Sequence, residues 1–154
     1  MSRGKAFFVV GHKQWGKSTT LKALTENRLY HVWEVNSLRF VIKRMSNDDE
    51  PRGLKKFVEE LDSNIEPRVI AALCPTFNDK KSLPLLLETL AILKRKYELF
   101  FFVLRHKCSN PDVTVPDDEI DKLERYGRVK QFLPEGAKAE KIARAFKNFI
   151  SQHA

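Results

Sequence analysis

Gly11-His12-Lys13-Gln14-Trp15-Gly16-Lys17-Ser18, followed by Thr19-Thr20, is the stretch on which the reading of this chain turns. It satisfies G-x-x-x-x-G-K-[ST], the spacing of a phosphate-binding glycine loop, or P-loop. Its flanks are those the chemistry requires. Lys5-Ala6-Phe7-Phe8-Val9-Val10 is an apolar run ending at Gly11, as expected of a parallel strand buried on both faces. Ser18 to Asn27 reads as helix, with Leu21, Ala23 and Leu24 on its apolar side. In a strand–loop–helix unit, successive backbone N–H groups curl around an anionic phosphate, and the helix N-terminus adds partial positive charge. Lys17 would then reach the β/γ-phosphates of a nucleotide, and the Ser18 hydroxyl would ligate Mg²⁺. The competing reading is a lysine-bearing turn with no ligand.

At 154 residues the chain is expected to form one domain large enough to bury a core. With 42% hydrophobic and 31% charged residues it belongs with globular rather than disordered sequences. Its apolar stretches fall well short of the ~18 residues of a membrane span, so no membrane partner is expected. Met1-Ser2-Arg3-Gly4-Lys5 runs at once into the first strand and leaves no room for a signal peptide. Cys74 and Cys108 lack metal-ligand spacing and suit a reducing, cytoplasmic setting. The net charge of +8 is spread over Arg39, Lys43 and Arg44, over Lys55 and Lys56, over Lys80 and Lys81, over Lys94 to Lys96, and over Lys138, Lys141, Arg144 and Lys147. It favours anionic partners, whether nucleotide, nucleic acid or an acidic protein surface. Ordinary solvated helix faces account for the same residues, and aromatics are not interleaved with them as in a base-stacking platform.

His31–Val35 and Arg39–Lys43 read as strands joined by Asn36-Ser37-Leu38, a hairpin at a sheet edge. An acidic loop, Arg44 to Glu50, leads to Pro51 in the first turn of a helix whose Leu54, Phe57, Val58 and Leu61 form a core-facing stripe. Arg68–Cys74 is a buried strand stopped by Pro75. Ser82 caps a helix reaching about Tyr97, apolar nearly all round before Lys94 and hence expected to be deeply packed. Leu99–Leu104 is the next central strand, followed by a loop containing Pro111 and Pro116. Asp117 caps a short helix that Gly127 stops, and Arg128–Leu133 is a last, more polar strand. Gly136 precedes a terminal helix turning Ile142, Ala143, Phe146, Phe149 and Ile150 inward.

Strands alternating with helices imply an α/β fold with a mostly parallel, doubly wound sheet and one antiparallel hairpin strand; with the glycine loop after its first strand, a three-layer P-loop NTPase fold is expected. Ligands of such sheets sit at the carboxyl ends of the strands. The candidate site therefore gathers Asp48 and Asp49, Cys74-Pro75-Thr76, Arg105-His106-Lys107 and Gly136-Ala137-Lys138 around the glycine loop.

Val9-Val10-Gly11-His12 and Gly16-Lys17-Ser18-Thr19-Thr20 resemble the P-loop of translational GTPases, which commonly reads GHVDxGKST. The order of elements is similar to that of a small-GTPase domain over almost the whole chain. The resemblance implies GTP as ligand and Mg²⁺ held by Ser18, with an Asp-x-x-Gly after the hairpin adding a water-mediated contact. Asp48 and Asp49 stand in that loop, but Asp49-Glu50-Pro51-Arg52 lacks the glycine, and the switch threonine has no equivalent. The family's guanine-reading Asn-Lys-x-Asp is matched by Lys107 of His106-Lys107-Cys108-Ser109 without its carboxylate, so ATP remains an alternative to GTP. Gly136-Ala137-Lys138 echoes the later Ser-Ala-Lys motif.

Inside the loop, Lys13 is either a second cation over the phosphates or a solvent-facing side chain. Trp15 covers the nucleotide or a partner surface, or packs on the first helix, and packing is the favoured reading. His12 is a member of the backbone cradle with its ring hydrogen-bonded nearby. Gly11 through Thr19, with Lys107, are thus the candidate nucleotide contacts; Lys17 and Lys13 are the candidate catalytic cations; Ser18, Asp48 and Asp49 are the candidate metal ligands. The leading expectation is a nucleoside-triphosphate-binding protein with weak or partner-dependent hydrolysis, acting as a GTPase-like switch or as the nucleotide-dependent subunit of a complex. A protein activator is expected because no water-positioning residue or arginine finger emerges. The alternatives are a small nucleotide or polynucleotide kinase, against which the missing arginine-rich lid counts, and a non-hydrolysing interaction module on the same scaffold.

Overall fold

The computed structural model describes residues 4–26, 32–47, 50–107, 110–134 and 138–154. Six strands form one sheet: β1 (Gly4–Val10), β2 (Val32–Val35), β3 (Leu38–Lys43), β4 (Arg68–Leu73), β5 (Tyr97–Leu104) and β8 (Gly127–Phe132). Their spatial order is β2-β3-β4-β1-β5-β8, and all neighbours are parallel except β2 and β3. A separate two-stranded ribbon pairs β6 (His106–Lys107) with β7 (Asn110–Thr114). Among the described residues the helices are α1 (Lys17–Leu24), α2 (Pro51–Glu60), α3 (Leu83–Lys96), α4 (Asp117–Glu124) and α5 (Ala139–His153).

The period-2 alternation of β1 sorts the core into two halves. Phe7 and Val9 point to α1 and α5, joining Leu21, Leu24, Phe146, Phe149 and Ile150. Ala6, Phe8 and Val10 point to α2, α3 and α4, joining Leu54, Leu90 and Leu123. This makes three layers, helix–sheet–helix. Register aligns the phenylalanines of β1 with those of β5 on each side. Phe7 stacks on Phe100 with centroids 4.7 Å apart, and Phe8 on Phe101 at 5.5 Å. Aromatic pairs of this kind contribute ~0.5–1.5 kcal/mol each beyond the area they bury. All five inward residues expected of the terminal helix are buried.

The hairpin turns through Asn36 and Ser37, both left-handed at φ 52° and 67°, the backbone of a tight two-residue turn that matches strand twist. α2 begins at Pro51 as expected. Its C-terminal carbonyls are satisfied from a distance: the Lys96 ammonium donates to Val58, Glu59 and Leu61 at 2.7–3.0 Å.

Several local expectations give way to other contacts. α1 ends at Leu24, where Thr25 turns its hydroxyl back to the Leu21 and Lys22 carbonyls; Asn27 lies outside the described residues. α3 is packed on one side only, with Leu86, Thr89, Leu90 and Leu93 buried and Leu87 exposed. The Ser82 hydroxyl donates to the Asp79 carboxylate instead of capping α3. Asp117 is the first residue of α4 rather than its cap, and its carboxylate accepts from Arg105. Gly127 opens β8 instead of closing a helix: a Cβ there would lie 2.1 Å from the Leu99 carbonyl oxygen. The segment after β5 is the β6–β7 ribbon, which accommodates Pro111 because a two-stranded ribbon leaves outward N–H positions unpaired.

Candidate functional site

The Gly11–Thr20 loop leaves the carboxyl end of β1, in the interior of the sheet between β4 and β5. It starts tied to β4 by Gly11 N–H donating to the Leu73 carbonyl at 3.1 Å. Trp15 N–H closes a turn onto the His12 carbonyl, and Gln14 (φ 67°) and Gly16 (φ 93°) both take left-handed backbone conformations. Gly16 needs its glycine for that angle, and nothing stands within 4 Å of where a Cβ would project. The loop runs directly into α1, whose first helical bond is Thr20 N–H to the Gly16 carbonyl at 2.8 Å.

Lys17 is the buried member of this turn, only 5% exposed, and its ammonium donates to the His12 carbonyl at 2.9 Å. Ser18 and Thr19 are exposed in the first turn of α1, while Thr20 is buried with its hydroxyl unpartnered among the described residues. Lys13 and Gln14 are exposed at the tip. Trp15 is buried, as the packing reading required, but not against α1. It joins the core half on the opposite face, with Val10, Phe77, Val115 and Ile120, and its ring meets His12 edge-on at 5.3 Å.

His12 is the hub between neighbouring elements. Its Nε2 lies 2.7 Å from the Glu119 carboxylate of α4, and its Nδ1 lies 3.7 Å from Cys74 Sγ at the end of β4. With Nε2–H donated to the carboxylate, Nδ1 presents its lone pair to the thiol. Glu119 is 1% exposed, a buried carboxylate whose partner is this histidine. Cys74 is buried, and Asn47 clamps its backbone by donating to the Cys74 carbonyl (2.9 Å) and accepting from its N–H (2.7 Å). The loops after β3, β4 and β1 are thereby linked to α4 along one edge of the sheet.

The other expected residues are distributed unevenly. Asp48, Asp49, Gly136 and Ala137 lie outside the described residues, as do Cys108 and Ser109. Lys107 is on the ribbon, paired with Asn110, and Lys138 is exposed just before α5. Arg105 is held by Gln131 and Asp117. The hairpin strand β3 does not flank β1, because β4 is inserted between them. At about 4.8 Å per strand this sets the loop after β3 roughly 10 Å to the side of the glycine loop. Glu119 is the participant that sequence reading missed. Its only signal was membership of Asp117-Asp118-Glu119, three carboxylates that all suit the positive end of a helix.

No family model matches the chain, and no curated protein matches it. Among the described residues no group of three or more His, Cys, Asp or Glu side chains is disposed to hold a metal ion. No helix among them is long and apolar enough to cross a membrane.

Proposed function

We propose that the chain binds a nucleoside triphosphate, ATP or GTP, through a P-loop formed by Gly11–Ser18, and works as a nucleotide-dependent switch with weak or partner-assisted hydrolysis. The observation that carries this reading is the buried Lys17 side chain, whose ammonium donates to the His12 carbonyl inside a loop of P-loop spacing, next to the left-handed Gly16. In the proposed bound state the Lys17 ammonium turns to phosphate oxygens, which are charge-assisted acceptors. The exposed Ser18 and Thr19 in the first turn of α1 suit an anion at a helix N-terminus. Ser18 would hold Mg²⁺, which when bound neutralises phosphate charge; among the described residues no carboxylate cluster adds to it. His12, anchored by Glu119 and flanked by Trp15, keeps the loop backbone in place.

Isothermal titration with ATP, GTP and the two diphosphates, with and without Mg²⁺, tests this directly. Lys17→Ala is expected to lower triphosphate affinity about ten- to a hundredfold, the equivalent of ~1.5–3 kcal/mol for hydrogen bonds to charged groups. Unaltered binding by that variant would remove the assignment.

A further inference from the structure

Basic side chains gather on the opposite side of the core from α1 and α5, along the cleft between α2 and α3. Its walls carry Arg52, Lys55 and Lys56 from α2, Lys81 from the approach to α3, and Lys94 and Arg95 from the end of α3, against only Glu59 and Glu88. Six cations against two carboxylates place half of the chain's net charge of +8 in this one cleft. Glu88 is committed to Lys55 at 2.8 Å. Arg52, Lys56, Lys81 and Arg95 are exposed and have no acidic partner within ion-pair distance among the described residues. Charges of one sign along one surface add to a field that draws anions.

We propose that this cleft binds the phosphodiester backbone of a single-stranded nucleic acid. α3 is 14 residues long, so the cleft extends about 20 Å, from the edge carrying the glycine loop to the far edge of the sheet. Cations stand at both ends and in the middle, which suits a linear partner with charge at every repeat. An acidic protein partner fits less well. Protein interfaces centre on an exposed apolar core, whereas the large aliphatic side chains lining this cleft, Leu85 and Ile92, are half-buried. The inference stands independently of nucleotide binding at the glycine loop.

The test is fluorescence anisotropy of a labelled oligonucleotide of about 16 nucleotides, the upper end of ordinary single-strand site sizes, titrated with the full chain over a range of salt. The four unpaired cations predict a slope of log K against log salt of about −3, from roughly −0.7 per neutralised phosphate. Arg52→Gln, Lys56→Gln, Lys81→Gln and Arg95→Gln combined should weaken binding at least about tenfold and flatten the slope. The control removes the same charge elsewhere: Lys138→Gln, Lys141→Gln, Arg144→Gln and Lys147→Gln, all exposed, should change affinity less than about threefold. Every substitution is at the surface, and circular dichroism of each variant verifies the fold. No binding by the wild type at low salt, equal losses in the two quadruple variants, or tighter binding of a poly-glutamate peptide of matched charge would each overturn the proposal.

Discussion

His12 and Glu119 form a 2.7 Å hydrogen bond between the glycine loop and α4, across 107 residues of sequence. Glu119 is buried, whereas the His12 side chain is 31% exposed and can turn to water when the carboxylate is removed. Glu119→Ala should therefore cost ~1 kcal/mol, the net worth of one hydrogen bond. For a chain of this size that amounts to a fall in melting temperature of about 2–4 °C per kcal/mol. Glu119→Gln retains an acceptor and should cost less. Hydrogen exchange should localise the effect, rising at 11–16 but not in α5. A Glu119→Ala variant with wild-type melting and exchange would show that the contact holds nothing in place.

Gly16 and Gly127 make opposite demands on a methyl group. At Gly16 the space is open and only the backbone angle of φ 93° resists, so Gly16→Ala should cost ~1–2 kcal/mol. At Gly127 the methyl would run into the Leu99 backbone, within 2.1 Å of its oxygen, and β8 must move away from β5. Gly127→Ala should exceed ~3 kcal/mol, the upper end of ordinary overpacking penalties. Urea denaturation of the two variants gives the order directly. Gly16→Ala as the more damaging change would mean that the β5–β8 edge is more pliable than its pairing implies.

Much of this architecture is legible in the chain because burial on both faces writes itself as unbroken apolar runs. Phe7 to Val10, Val69 to Leu73 and Leu99 to Leu104 could hardly be anything but central strands. The five inward residues of α5 were readable from their 3.6-residue period. Strand order was not readable, because Val69 to Leu73 would be equally apolar on either side of β1. The ribbon escaped notice since Pro111 reads as a breaker, and its two short strands lack a sustained alternation. Of the site, the loop and its lysine follow from local spacing. The Glu119 contact does not, because it depends on how α4 docks. Nor does the core half that Trp15 joins, which depends on the turn at Gln14 and Gly16.

Tyr97 supplies a pH dependence that can be isolated. Burial, reinforced by the negative charges of Glu66 and Asp62, pushes its phenol from 10.0 up to about 12. The hydroxyl also donates to the Glu66 carbonyl at 2.7 Å. A raised native value means the folded state keeps a proton that the unfolded state releases. The tyrosine's contribution is thus complete below pH ~10 and shrinks as pH rises towards 12, by about 2 kcal/mol in all. Tyr97→Phe lacks the titration but also the hydrogen bond. The stability gap between wild type and variant, followed by urea denaturation, should be widest at pH 8–9 and narrow above pH 10. A gap that stays constant to pH 12 would contradict the assignment.

Slow turnover by the isolated chain follows from what surrounds Lys17. If the loop binds a triphosphate as proposed, transfer of the terminal phosphoryl group needs cations at the developing charge and a polar group aligning the attacking water. Lys17 would take the first task. Lys13 is exposed at the tip and available as a second cation. Arg105, the arginine that follows β5 at the same edge, is already engaged by Gln131 and Asp117. His12 is equally committed, with one nitrogen at Glu119 and the other at Cys74, which leaves its ring without a hydrogen-bonding position for water. Cys74, Pro75 and Thr76, at the end of the neighbouring strand β4, include no carboxylate to take that part. A missing arginine finger alone costs about 10³–10⁵ in rate. Phosphate release at saturating Mg²⁺-nucleotide should accordingly stay far below the ~10 s⁻¹ typical of enzymes. Lys13→Ala should lower the residual rate further if that lysine folds over the phosphates, and leave it unchanged if it remains in solvent. Turnover near ~10 s⁻¹ by the purified chain would mean that a water-positioning group is supplied from the loop after β3, and that no activating partner is required.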